Sequence, residues 1–273
     1  MNRLFREQVR SILAAWDFWI VCAAIIAIMS VSVVVAATSL HNAEGLAGGS
    51  RYGLFLGAFK NANLIFPVAC SLAVGASFAI DRKAKIAQYI LTRGFHKWQY
   101  LLAKAVAMML CSMLLIVLVQ GVTWIASSAL ARYPIVQSFE AAGTGGAYEG
   151  NLENLVFHRA PGRYVVTIAF LQLLAVAALA GVPLLVAALG GNSWVSVTST
   201  LALWLLAEYA CSSPALMFLD PGFRALALWW WRPFAAENTP CPPVLRSSFA
   251  YWGIFLLLNV GFAAFIYLRQ EDA

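Results

Sequence analysis

The sequence predicts an all-α fold, a polytopic membrane helix bundle of six spans, and three observations carry that expectation. Of 273 residues, 62% are hydrophobic and 11% are charged, against roughly 25% charged in soluble domains. Uncharged apolar runs recur at lengths near the ~20 residues that a helix needs to cross a bilayer. The remaining charges gather between those runs. A chain of this size makes one bundle, so a single domain over residues 1–273 is expected.

Three runs set the first spans at residues 18–40, 61–80 and 105–131. The first exceeds the 7–15 residues of a secretory signal core, and Val35-Ala36-Ala37 is a poor cleavage site, so the segment is read as retained. Residues 164–219 contain no Lys or Arg and one acid, Glu208. As one helix this stretch would be about 84 Å long, far beyond a membrane. Gly190-Gly191-Asn192-Ser193 supplies the turn chemistry for a tight hairpin, giving spans at 164–189 and 194–219. The sixth falls at 247–268.

The basic residues orient the bundle. With the N-terminus inside, six cations, Arg82, Lys83, Lys85, Arg93, Lys97 and Lys104, crowd one short loop beside two spans. Both termini are therefore expected on the cytoplasmic side. The net charge of +6 suits anionic lipid headgroups. No basic stripe interleaved with exposed aromatics suggests nucleic acid.

Four segments lie between or before the spans. Residues 1–17 place Leu4, Phe5, Val9, Ile12, Leu13 and Trp16 mainly on one helical face, with Arg3, Arg6, Arg10 and Asp17 on an adjoining one. That is the pattern of an interfacial helix; a basic flank that only sets orientation is the plainer reading. Between the second and third spans, residues 86–92 read as a short surface helix stopped by Gly94; a simple basic connector is the alternative. The Gly-rich run 141–146 predicts a mobile outer loop. Residues 220–246, with Trp229, Trp230 and Trp231, predict a short or re-entrant outer helix, or a passive aromatic belt.

Candidate chemistry is sparse. Glu208 lies about 22 Å along the fifth span, where a charge must face the bundle interior, water or a partner; it is a substrate or proton site, or a structural acid. Gln120 and Gln172 are candidate pathway residues or interhelical hydrogen bonders. Gly181-Val182-Pro183 predicts a kink in the fourth span. Cys22, Cys70 and Cys111 sit in apolar runs as small hydrophobes, while Cys211 and Cys241 leave an outer disulfide open. No phosphate loop, HExxH or CxxC is present, and His41, His96 and His158 lie on both sides. No catalytic residue, bound cofactor or metal site is expected in this chain.

The loop between the second and third spans resembles that of the ABC-2 type permeases, the membrane subunits of one class of ATP-binding cassette exporters. The matching residues are Asp81-Arg82, then Leu91-Thr92-Arg93-Gly94-Phe95-His96-Lys97, then Tyr100-Leu101-Leu102-Ala103-Lys104. The chain departs from the pattern at Asp81, where Glu is usual, at Lys85 or Ile86, where Gly is common, and at Gly94, where Pro is common. The layout of interfacial helix, six spans and outer helical element is similar from end to end. The resemblance implies a cytoplasmic ATPase partner that binds ATP and Mg, a second permease subunit, and residence in a prokaryotic inner membrane. It implies that Arg82, Lys83, Lys85, Ile86, Tyr89, Ile90, Thr92 and Arg93 couple to the ATPase. Two other function classes stand beside it: a proton-coupled carrier using Glu208, and a membrane-embedded lipid-modifying enzyme. The lack of a second inverted repeat speaks against the former, and the lack of clustered His, Asp or Glu against the latter.

Overall fold

The computed structural model describes residues 2–42, 50–86, 90, 92, 94–131, 161–211, 219–226 and 244–269. These fold into helices α1 (Asn2–Leu13), α2 (Trp16–Asn42), α3 (Arg51–Asn61), α4 (Ile65–Val74), α5 (Ser77–Lys83), α6 (Lys97–Leu130), α7 (Pro161–Leu179), α8 (Gly181–Ala188), α9 (Ser193–Ala210), α10 (Pro221–Leu226) and α11 (Val244–Arg269). Among the described residues, five helical segments are long and apolar enough to cross a membrane: Trp16–Thr38, Ile65–Lys83, Lys97–Leu130, Pro161–Ala188 and Leu245–Arg269. The chain is all-helical over its described residues, with the signature of a multi-pass membrane protein. α9 is helical where a fifth span is expected, but Ser193, Ser196, Thr198, Ser199, Thr200 and Glu208 leave its 18 residues less apolar than those five segments.

α1 and α2 are separate helices, since the helix is interrupted by a turn at Ala14 and Ala15. Trp19 Nε1 donates to the Leu13 carbonyl at 2.7 Å, satisfying one of the acceptors that a helix end leaves open. α1 is strongly amphipathic, with Leu4, Gln8 and Ile12 buried and Phe5, Val9 and Leu13 packed on the core. It lies against α6 and α2, so its apolar face covers protein as well as any lipid.

α3 occupies the stretch between the first two expected spans, to which the sequence assigns no element. Its residues Leu54, Phe55, Leu56, Ala58 and Phe59 are buried, and it packs on α2, α6 and α7. Arg51 and Lys60 bracket this 11-residue helix, which is too short to register as a span. Ser50 caps it, its hydroxyl accepting from Gly53 N at 3.1 Å. Arg51 is accommodated in aromatic surroundings, 4.9 Å from the Tyr52 ring centroid and 5.5 Å from that of Trp124.

The span expected at 61–80 begins at Ile65 and is broken at Gly75 and Ala76. A Cβ on Gly75 would stand 3.2 Å from Val197 Cα, so glycine lets α4 approach the α9 backbone closely. The span expected at 105–131 begins at Lys97, and His96 N donates to Gln99 Oε1 at 3.2 Å over its first turn. Lys104 does not end it, because that charge is neutralised inside the bundle. The fourth span is interrupted at Ala180, between α7 and α8. Pro183 cannot donate to the Leu179 carbonyl, which frees the ladder there. The hairpin before α9 forms with Gly190 at φ +94° and Asn192 capping α9 by accepting from Val195 N at 2.8 Å. α6 and α7 form the centre of the bundle, flanked by α2, α4 and α11.

Candidate functional site

One end of the bundle carries α1, the α5–α6 segment, the α8–α9 hairpin and the last turns of α11. Lys104 on α6 is about as buried as a residue can be, at 1% exposure. Its ammonium lies 2.7 Å from Asp81 Oδ2 on α5 and donates to Gln8 Oε1 on α1 at 3.0 Å. Tyr100 Oη donates to the same Asp81 oxygen at 2.9 Å. A buried charge must be paired and hydrogen-bonded, and here the pairing ties three helices together. Phe78, Tyr100 and Tyr267 enclose the network, with centroids 5.6 to 6.4 Å apart.

Arg82 is directed inward from the same turn of α5. Its guanidinium donates to the carbonyl oxygens of Ala187, at a short distance, and Ala188, at 3.1 Å. These are carbonyls of the last turn of α8, where a cation also complements the helix dipole. Beyond this anchored base the chain turns outward. Lys83, Lys85, Ile86 and Thr92 are exposed, and Ile90 packs against the core edge. Lys85 takes φ 55°, a left-handed conformation uncommon outside glycine. Tyr89 and Arg93 lie outside the described residues. The residues named for coupling thus divide into an inward anchor, Arg82, and an exposed tip.

The opposite end holds Glu208. Asn63 Nδ2, in the turn before α4, donates to Glu208 Oε1 at 3.3 Å. Asp220 sits buried beside them, its Oδ1 accepting from Gly222 N at 2.8 Å. Burial pushes the Asp220 carboxyl up to about 6, with the Glu208 charge adding to the rise and the N–H groups of Gly222 and Phe223 opposing it. Arg224 donates to Ser247 Oγ at 2.5 Å, and Tyr251 Oη donates to the Leu219 carbonyl at 3.3 Å. α10 is buried along its length and packs on α3, α7, α9 and α11.

Ser196, Thr200 and Trp204 form the buried face of α9 that leads to Glu208. The two hydroxyls and the indole N–H have no protein partner among the described residues. Gln120 and Gln172 meet elsewhere, between α6 and α7. Gln120 Nε2 donates to Gln172 Oε1 at 2.9 Å and to the Ala169 carbonyl at 3.2 Å. They are therefore brought to each other and not to Glu208. Among the described residues, no three of His, Cys, Asp and Glu cluster as metal ligands would. The tryptophan run 229–231, the Gly-rich run 141–146, His158 and Cys241 lie outside the described residues.

In the sequence Asp81 stands out only as part of the loop motif and Lys104 only there and among the orienting cations, while Gln8, Asn63 and Asp220 carry no functional signal. A lysine embedded in an apolar run is a signal that some acid must meet it; nothing in the sequence says which. Compared with protein-family models, with curated proteins and with solved structures, the chain matches none.

Proposed function

We propose that this chain is the transmembrane subunit of an ATP-driven exporter of the ABC-2 type, moved by a separate cytoplasmic ATPase. The observation that carries the proposal is the contrast within the α5–α6 segment. Its base is fixed by Asp81–Lys104 and by Arg82 on α8, while Lys83, Lys85, Ile86 and Thr92 face outward. A rigid base with an exposed cationic tip transmits an external push to α1, α5, α6 and α8 together. The motif shared by this segment and the ABC-2 permeases supports the same reading.

In this reading the bundle has six spans, the fifth at residues 194–219, α1 rests at the cytoplasmic interface, and both termini are cytoplasmic. The membrane is a prokaryotic inner membrane. A second permease subunit, identical or related, completes the pathway, and α10 closes its outer mouth. ATP and Mg are bound by the partner.

Purification of the full chain from its native membrane in mild detergent tests the proposal. A nucleotide-hydrolysing subunit should accompany it, and Lys83→Glu with Lys85→Glu should release that subunit without unfolding the bundle. Absence of any such ATPase, or its unchanged retention by the double variant, would count against the assignment.

A second reading, a proton-coupled carrier, is favoured by the buried polar face of Ser196, Thr200 and Trp204 that ends at Glu208 and Asn63. It requires proton-driven uptake by the chain alone in liposomes, abolished by Glu208→Gln.

A further inference from the structure

A groove of about 620 Å³ runs between α1 and α6, a size within the range of ligand sites. Its floor is apolar, built from Phe5 and Val9 on α1 and from Leu110 and Leu114 on α6. Two cations stand on its rim, Arg6 and Arg10, one helical turn apart and both exposed. Among the described residues neither is ion-paired, whereas Arg3, outside the groove, meets Glu7 at 3.4 Å.

We propose that this groove binds one anionic phospholipid from the leaflet on the α1 side. Arg6 and Arg10 hold the phosphate, and an acyl chain lies along Leu110 and Leu114. Guanidinium groups at (i, i+4) spacing are about 6 Å apart along the axis and can grip one phosphate from two sides. Trp16 and Trp19, both exposed just beyond α1, fix the depth, since tryptophan favours the headgroup layer. A soluble phosphate would leave the apolar floor open to water, so the occupant is a lipid. This inference does not depend on the exporter reading.

Native mass spectrometry of the purified full chain tests it, with phosphatidylglycerol and phosphatidylcholine of equal chain length titrated in separate series. One phosphatidylglycerol should stay bound in preference to phosphatidylcholine. Arg6→Gln with Arg10→Gln should weaken it about thirtyfold, the factor expected for two basic residues at an anionic surface. Leu114→Trp, which fills the groove and keeps both charges, should weaken it too. Lys83→Gln with Lys85→Gln removes equal charge elsewhere and should leave binding unchanged. The proposal is overturned by equal affinity for the two lipids, by equal losses in the two double variants, or by unaltered binding to Leu114→Trp. Displacement by glycerophosphate, which has the headgroup phosphate and no acyl chain, would also overturn it.

Discussion

Lys104 and Asp81 lie 23 positions apart in sequence, yet the ammonium and carboxylate meet at 2.7 Å inside the bundle. The pair joins the end of the second long hydrophobic segment to the start of the third. Gln8 extends it to α1 and Tyr100 adds a second donor to Asp81. Together with Arg82 on α8, this joint ties the exposed α5–α6 tip to the bundle, so its strength bears on stability and on the proposed mechanism alike.

Removing one partner leaves the other charge buried without compensation. Lys104→Met and Asp81→Leu should each destabilise the fold by about 3 kcal/mol. The double replacement by apolar residues should cost much less than the sum of the two, because neither charge is then left behind. Thermal unfolding in detergent, run as a double-mutant cycle, reads the difference. Strict additivity would show that the pair is not coupled.

At the other end Asp220 makes stability depend on pH. Its folded-state value, about 6, lies above the ~3.9 of an unfolded aspartate. Between those values the folded chain keeps a proton that the unfolded chain has released. This group's contribution is therefore fully present below about pH 4 and is lost as pH rises to about 6. The loss amounts to at most about 3 kcal/mol, at ~1.4 kcal/mol per pH unit. Asp220→Asn keeps an acceptor for Gly222 N and should flatten unfolding curves over that window. Glu208→Gln should shift the window to lower pH, because it removes the neighbouring negative charge.

These two sites show what could be read from the sequence. Hydropathy located the long helices because lipid exposure demands apolar surface wherever a helix crosses. Gly190 and Asn192 announced the hairpin, and Pro183 the interruption of the fourth span at Ala180, because each acts through local backbone chemistry. α3 escaped because Arg51 and Lys60 look like span ends, although Arg51 is held against Tyr52 and Trp124. The start of α6 escaped for the same reason, since Lys104 looks like a boundary until Asp81 is placed beside it. Glu208 stood out as a lone acid within apolar sequence, but Asn63 lies 145 positions away and nothing local marks it as the partner. Such pairings are set by packing, to which one sequence gives no direct access.

Gln120 and Gln172 test how much a polar clasp between α6 and α7 is worth. Their amides meet at 2.9 Å. Interhelical hydrogen bonds of this kind average about 0.6 kcal/mol, reaching about 1.7. A cycle of Gln120→Leu, Gln172→Leu and the double variant should return a coupling energy in that range. A value near zero would mean that the contact adds no stability beyond packing.

Lys85 allows the shape of the exposed tip to be separated from its charge. Its φ of 55° is strained for a side chain with a Cβ, by about 1 kcal/mol or more, and most of all for a β-branched one. Asparagine tolerates this region and glycine adopts it freely. Lys85→Asn and Lys85→Gly should therefore leave the unfolding temperature unchanged or slightly raised, whereas Lys85→Val should lower it. If the tip acts through charge, the Asn and Gly variants should weaken stimulation of a co-purified ATPase despite intact folding, and Lys85→Arg should retain it. If the turn geometry alone matters, only Lys85→Val should lose function. Melting temperature and ATPase stimulation, measured on the same four proteins, decide between charge and turn geometry.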